Sequence, residues 1–261
     1  MTIEAPKAEQ IPDLRRLWKD VFEDSDQFLD SFFSLAFSPE RCRCVVGDGE
    51  IKAALYWFDC CCKDEKFAYL YAVATAESSR GQGLCRQLME NTHAHLRSLG
   101  YTGAILVPAT DSLRNMYAGM GYLPGTTVTE VTCLPGEMPV HLQRLDAEEY
   151  ECRRKAMLPA GAVVQQGEFT ALLADNCDLY SGEGFLTAVY VDDGVVHAEE
   201  LLGNAAAAPG ILAALGATEG TFRIPGAENA TGSGRNLAKM LSIQISSRKI
   251  YGEMREFTED G

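Results

Sequence analysis

From residue 11 to 37 apolar residues recur at helical spacing: Leu14, Leu17, Trp18, Val21 and Phe22, then Phe28, Phe32, Phe33 and Leu35. Pro12 suits a first helical turn and Ser25 or Asp26 suits a cap. Two helices are predicted, with the aromatic stripe turned into the core. The period then shortens. Cys42–Val46 and Ile51–Phe58 flank Gly47-Asp48-Gly49-Glu50, a hairpin pattern. Lys63-Asp64-Glu65-Lys66 reads as a polar turn and Phe67–Thr75 as the next strand. A long amphipathic helix follows, carrying Leu84, Leu88, Met89, Leu96 and Leu99 on one face and closed by Gly100. Ile105-Leu106-Val107 is a continuously apolar strand, as expected when both faces are covered. Thr110 or Asp111 would cap a short helix bearing Met116 and Tyr117. Strand, helix, strand, helix in this order gives an α/β unit with a parallel pair.

Around residue 140 the pattern restarts, after Pro135, Gly136 and Pro139. A charged helical stretch, Asp146–Lys155, leads to the apolar runs Phe169–Ala174 and Phe185–Val191. Asp192-Asp193-Gly194 is a hairpin turn and Val195–Leu202 a strand. Ala205–Leu215 reads as helical despite Pro209 and Gly210, and Thr221–Ile224 as a further strand. Strand–turn–strand–helix–strand thus occurs twice. Two domains are expected, 1–140 and 141–261. Gly232-Ser233-Gly234-Arg235 is read as a loop.

The densest chemical signal is Val73-Ala74-Thr75-Ala76-Glu77-Ser78-Ser79-Arg80-Gly81-Gln82-Gly83-Leu84-Cys85. A strand ends, a polar loop follows, and Arg-Gly-Gln-Gly opens the long helix. A helix start leaves backbone N–H groups without intrahelical partners, beside the positive end of the dipole. Two glycines let a ligand approach the main chain. This is a cradle for a phosphate or pyrophosphate. It is neither the Gly-x-Gly-x-x-Gly of dinucleotide folds nor a P-loop, since no Lys-Ser/Thr follows.

With the later segment Met116-Tyr117-Ala118-Gly119-Met120-Gly121-Tyr122, the cradle resembles the GNAT N-acetyltransferase superfamily. That family carries an Arg-x-x-Gly-x-Gly/Ala loop and a Leu-Tyr-x-x-x-Gly-Phe segment. The resemblance is specific over Phe67 to about Gly125, reaches back to residue 1, and says little about the last 120 residues. It implies an α/β (α+β) fold, a GNAT-like mixed sheet flanked by helices; the element order that recurs after residue 140 makes the second, smaller α/β domain a candidate degenerate GNAT-like repeat. It implies acetyl-CoA as cosubstrate, its pyrophosphate on the N–H groups of Gly81, Gln82, Gly83, Leu84 and Cys85 with Arg80 at the mouth. Cys85 departs from the usual Gly or Ala. Val73, Ala74 and Thr75 would line the pantetheine arm, with Val73 and Thr75 bonding its amides like an added strand. Tyr117 matches the tyrosine that protonates the leaving thiolate. Many family members carry a Glu on the strand before the loop, where this chain has Tyr69. Glu65, Glu77, a water relay through Tyr69 or Tyr71, or Glu199 or Glu200 remain as ways to deprotonate the amine. Of Glu199 and Glu200, one is expected exposed and one paired inward.

The second half has no such cradle, Ala208-Pro209-Gly210 standing in its place. Composition narrows the rest. Hydrophobic residues make up 46% and charged residues 23%, as in soluble globular proteins. No apolar run approaches the roughly 20 residues that span a bilayer. The first residues, with Glu4, Lys7 and Glu9, lack a signal-peptide pattern. The net charge of −14, with −6 over residues 1–140 and −8 over 141–261, argues against nucleic acid. Nine cysteines in no framework spacing point to reduced thiols and a cytoplasmic setting. Cys60-Cys61-Cys62 would alternate faces along a strand, and His93 and His95 diverge on a helix, so no metal is indicated. The expected function is acetyl transfer to a primary amine, of a small molecule or a peptide, by direct attack. The alternative is a non-catalytic CoA-binding module that engages a protein partner through its C-terminal domain.

Overall fold

The computed structural model describes residues 1–62, 65–159, 161–225 and 251–256. The chain forms two compact units. Of the described residues, one contains 1–106, 115–123 and 254–256, the other 107–114, 124–225 and 251–253. Among the described residues no helix is long and apolar enough to cross a membrane.

The first unit opens with a short strand absent from the sequence reading, β1 (Thr2–Glu4), then α1 (Ile11–Phe22) and α2 (Asp26–Ser31). Pro12 lies in the first turn of α1, and Ser25 Oγ accepts from Phe28 N–H at 3.1 Å, capping α2. A π-helical turn, Phe32–Ala36, extends α2. β2 (Cys42–Gly47), β3 (Glu50–Cys62) and β4 (Glu65–Thr75) follow. The β2–β3 turn has Asp48 and Gly49 at φ 54° and 80°, the paired left-handed geometry that suits the twist of a hairpin. β3 runs further than expected and takes in all three cysteines, with Cys60 and Cys62 buried and Cys61 partly exposed. All nine cysteines carry free thiols. Of the expected polar turn, Glu65 and Lys66 already belong to β4, and Lys63 and Asp64 lie outside the described residues.

α3 (Leu84–Ser98) leads to β5 (Gly103–Leu106), whose four residues are all buried. Gly100 N–H bonds Arg97 C=O and Tyr101 N–H bonds Leu96 C=O, with Gly100 at φ 78°. This closure turns Leu99 outward, half exposed, where the sequence placed it inside, and Thr92 and His93 share the buried face instead. α4 (Asp111–Ala118) is capped by Thr110 Oγ1, which accepts from Leu113 N–H at 3.2 Å.

The strands of this unit lie in the order β1-β2-β3-β4-β5, antiparallel except for the parallel pair β4–β5. One face meets α1 and the turn after α2: the Trp18 ring lies 4.4 Å from Phe32 and 5.0 Å from Tyr56, and Phe32 lies 6.1 Å from Tyr71. The aromatic stripe is therefore core, except that Phe22 and Leu35 are exposed at its ends. The opposite face is covered by α3, where His95 meets Trp57 edge-on.

The second unit contains β6 (Leu123–Cys133), β7 (Gln143–Arg144), α5 (Ala147–Met157), β8 (Val164–Gln165), α6 (Glu168–Asn176), β9 (Asp178–Gly182), β10 (Phe185–Asp192), β11 (Val195–Gly203), α7 (Ala208–Leu215) and β12 (Glu219–Pro225). The apolar run Phe169–Ala174 is helical, inside α6, with Phe169, Leu172 and Leu173 buried. Asp193 and Gly194 turn the β10–β11 hairpin at φ 46° and 81°. Pro209 falls in the first turn of α7, where its missing N–H removes no helical bond. A last strand, β13, spans Tyr251–Glu256, and the Gly232–Arg235 loop lies outside the described residues.

Strand order here is β6-β12-β11-β10-β9-β7, with β11–β12 parallel and the other pairs antiparallel. β10–β11–α7–β12 therefore repeats the sequence of β3–β4–α3–β5: hairpin, helix, parallel strand. The second hairpin strand is bulged both times. In β4, Ala72 and Val73 together oppose Leu55; in β11, Glu199 is the extra residue opposite the Ala188–Val189 step.

Candidate active site

The site is built where β4 leaves β5. Their ladder has three pairs among the described residues, Phe67–Gly103, Ala68–Ala104 and Tyr69–Ile105. Ala72 then adopts φ 47°, a left-handed conformation uncommon for a residue with a Cβ. Beyond it, Val73, Ala74 and Thr75 stay paired to β3 through Ala74–Ala54 and Thr75–Ala53. Their other edge is the strand template for which an extended, amide-bearing ligand is suited. Ala74 is buried, while Val73 and Thr75 are partly exposed.

Past Thr75 the chain makes a single 3-10 turn, Glu77–Ser79, with Ser79 buried beneath it. Arg80, Gly81, Gln82 and Gly83 are all exposed. Gly81 and Gly83 both have φ 75°. A Cβ at Gly81 would meet nothing within 4 Å, and one at Gly83 only Gln87 Nε2 at 3.8 Å. The glycines are thus required by backbone conformation, and the space before them is open. Leu84, 4% exposed, pins the first turn of α3 to the core. The first helical bond runs from Gln87 N–H to Gly83 C=O, so Leu84, Cys85 and Arg86 N–H have no intrahelical acceptor. No acidic residue occupies that first turn to compete for the positive end of the dipole. Burial pushes the Cys85 thiol up, so it stays neutral. Arg80 Nε lies 3.4 Å from Thr75 C=O, folding the guanidinium back over the strand end.

Tyr117 lies on the last turn of α4 and is 5% exposed. Both Nη atoms of Arg86 are 3.5 Å from Gly119 C=O, which brings the start of α3 against the segment that carries Tyr117. Gly121, at φ 88°, turns the chain back so that Tyr122 N–H bonds Tyr117 C=O at 3.1 Å. The Tyr122 ring meets Tyr117 edge-on at 5.8 Å, and Tyr122 Oη lies 2.7 Å from His93 Nε2.

Tyr69, at the position of the family glutamate, is 1% exposed, between Phe58 and Tyr71. Glu65 and Glu77 are exposed. The expectation for Glu199 and Glu200 needs correcting, because both are buried and both are paired. Helices cover β11 and its neighbours, and Glu199 is paired with Arg223 while Glu200 is paired with Arg154. Neither is a solvent-facing strand carboxylate. Three features of this site escaped the sequence reading: the bulge at Ala72, the Arg86–Gly119 contact and the His93–Tyr122 pair. Only the last had a signal, a tyrosine where the resembling segment ends in phenylalanine.

Residues 2–125 match the acetyltransferase (GNAT) domain family. Over that stretch, just under half of the chain, the sequence is similar to GNAT acetyltransferase domains. No curated protein matches the chain by sequence. In fold, the chain is similar to a GCN5-related N-acetyltransferase from Kribbella flavida, at 18% identity and TM-score 0.68 over 98% of this chain and 70% of that one. It is also similar to one from Anabaena variabilis ATCC 29413, at 14% identity and TM-score 0.66 over 98% and 72%. A third, from Sphaerobacter thermophilus, has 15% identity and TM-score 0.53 over 98% and 95%. The likeness in fold covers nearly the whole chain, beyond the residues that the family matches.

Proposed function

We propose that the protein is an acetyl-CoA-dependent N-acetyltransferase that acylates a primary amine by direct attack, in a cytoplasmic setting. The observation that carries this reading is the start of α3, with two glycines at φ 75°, open space beside them and N–H groups that have no intrahelical acceptor. Arg80, Gly81, Gln82, Gly83, Leu84 and Cys85 would hold the pyrophosphate, with Val73, Ala74 and Thr75 along the pantetheine arm. When bound, acetyl-CoA supplies an acyl group activated as a thioester. Tyr117 Oη holds the proton for the departing sulfur, since a phenol is a fitting acid for a thiolate. With Tyr69 at the strand position of the family glutamate, the amine enters in its neutral form or loses its proton to water. The acidic surface favours cationic acceptors.

We read residues 1–140 as the acyl-transfer domain and 141–261 as a degenerate GNAT-like repeat, supported by the recurring order hairpin, helix, parallel strand and by the bulge in β11. The experiment is thiol release from acetyl-CoA with a panel comprising a polyamine, an aminoglycoside, an amino-acid amide and a short peptide. Turnover with any member supports the reading. Calorimetric binding of CoA without turnover on any member would favour the non-catalytic module, and absence of CoA binding would remove both.

A further inference from the structure

His93 has no part in the chemistry above, yet it is a histidine 2% exposed in the middle of α3. Its Nε2 lies 2.7 Å from Tyr122 Oη, and Tyr122 is itself 1% exposed. Burying an imidazole and a phenol is costly unless they bond each other, and an apolar pair would fill the same volume without that cost. What the polar pair adds is direction. The hydrogen bond fixes the tip of the Tyr122 ring, whereas a phenylalanine there would be held by packing alone.

Tyr122 grips Tyr117 twice, through its N–H on the Tyr117 carbonyl and through its ring edge. His93 stands on the same helix as the cradle, nine residues beyond Leu84, or roughly 14 Å along the axis at 1.5 Å per residue. One rigid element therefore carries both the pyrophosphate cradle and the anchor for the tyrosine's neighbour.

We propose that His93 and Tyr122 are positioning residues that hold the Tyr117 phenol in register with the cradle through the Nε2–Oη hydrogen bond. The inference rests on the reading of Tyr117 as proton donor. A misplacement of about 1 Å at a reacting group can cost on the order of 10²-fold in rate. Loosening one support should cost less, about 3- to 10-fold in kcat, with KM for acetyl-CoA unchanged.

The test uses the full chain in two measurements. In the first, Tyr122→Phe, His93→Leu, His93→Gln, Tyr117→Phe and the double variant Tyr122→Phe/Tyr117→Phe are assayed by thiol release with the panel amine of highest turnover. Tyr122→Phe and His93→Leu should lower kcat alone, His93→Gln should recover most of it, and Tyr122→Phe should add nothing once Tyr117 is Phe. In the second, 3-fluorotyrosine at position 117 is observed by 19F NMR without ligand. One line is expected in the parent and in His93→Gln, and a second or broadened line in Tyr122→Phe. An unchanged 19F line in Tyr122→Phe, or a kcat within twofold of the parent while Tyr117→Phe is impaired, overturns the positioning role. Full turnover by Tyr117→Phe overturns the donor reading instead, and the 19F spectrum still decides whether the pair anchors the ring.

Discussion

Arg154 binds Glu200 through both Nε and Nη2, at 2.8 and 2.9 Å, with each side chain 2% exposed. Tyr150 Oη donates to the same carboxylate at 2.9 Å and Gln165 Oε1 accepts from Arg154 Nη2 at 3.3 Å. The pair ties α5 to β11 inside the second unit. Removing one partner of a buried pair leaves the other charge uncompensated, which costs about 3–5 kcal/mol. Arg154→Met should therefore lower the urea midpoint of the second unit's unfolding. The double variant Arg154→Met/Glu200→Leu should recover much of the loss, because two apolar side chains leave no stranded charge. Equal destabilisation of both variants would show that the pair matters only through packing.

Glu199, the bulged residue of β11, gives a pH dependence. Burial pushes its carboxyl up to about 7 from the ordinary 4.5, against the pull of Arg223, which is shared with Glu130. Below 4.5 folded and unfolded chains both hold the proton and the group contributes nothing. Between 4.5 and 7 the folded chain holds a proton that the unfolded chain has released, so stability falls as pH rises through that window. Above 7 the full penalty remains. Glu199→Gln should flatten this part of the denaturation midpoint against pH. A slope unchanged by the substitution would mean that Arg223 keeps the carboxylate charged throughout.

What the sequence disclosed is local chemistry. Asp48-Gly49 and Asp193-Gly194 announce hairpins because their φ values favour those residue types, and Gly81 and Gly83 announce the cradle for the same reason. Ser25 and Thr110 were legible as caps. What it hid are long-range choices. Ala72 at φ 47° carries no signal, since alanine has no preference for that conformation and the bulge is imposed by the neighbouring strand. His93 and Tyr122 are 29 residues apart and Arg154 and Glu200 are 46 apart, so only the packed sheets bring them together. The depth of Glu199 and Glu200 was misjudged because adjacent strand residues ordinarily alternate, whereas a covered, bulged strand has no outward side to offer.

The cradle itself is testable through conformation alone. Gly83 has room for a methyl group but stands at φ 75°, so Gly83→Ala strains the backbone by about 1–2 kcal/mol without a clash. Part of the strain should appear as lost stability, and the turn should relax away from the ligand-ready shape. Calorimetry should show CoA affinity reduced at least tenfold in Gly83→Ala and binding lost in Gly83→Val. Undiminished affinity in both would place the pyrophosphate elsewhere.

One CoA per chain is expected, because the start of α7, the counterpart of the cradle, is closed. Pro209 brings no N–H, and Ala206 N–H is taken by Asn204 Oδ1 at 3.1 Å. The segment before β7 lies across it: Gly136 N–H bonds Pro209 C=O and Val140 N–H bonds Gly210 C=O, and a Cβ at Gly210 would stand 2.6 Å from Val140 Cγ1. No open space faces that turn as it does Gly81. Calorimetric titration should return a stoichiometry near one, abolished with Gly83→Val; a value near two would contradict the closure.

The sharpest prediction concerns a single oxygen. Tyr117→Phe keeps the ring, its burial and its edge contact with Tyr122, and the backbone bond from Tyr122 N–H to Tyr117 C=O does not involve the side chain. The fold and the cradle should be untouched, so CoA affinity and thermal stability should stay close to the parent. On the proposed reading, what is lost is the proton for the leaving sulfur, and general acid help is typically worth about 10²–10⁴ in rate. A thiolate leaves unaided more readily than an amine or an alkoxide, which places the expected loss at the low end of that range, in kcat. Raising the pH frees more neutral amine for parent and variant alike, so the ratio of their rates, measured at one pH, reports the lost phenol. A kcat within twofold of the parent, with chemistry shown to limit turnover, would make Tyr117 a structural tyrosine and move the search for the acid to a group that reaches the sulfur through water.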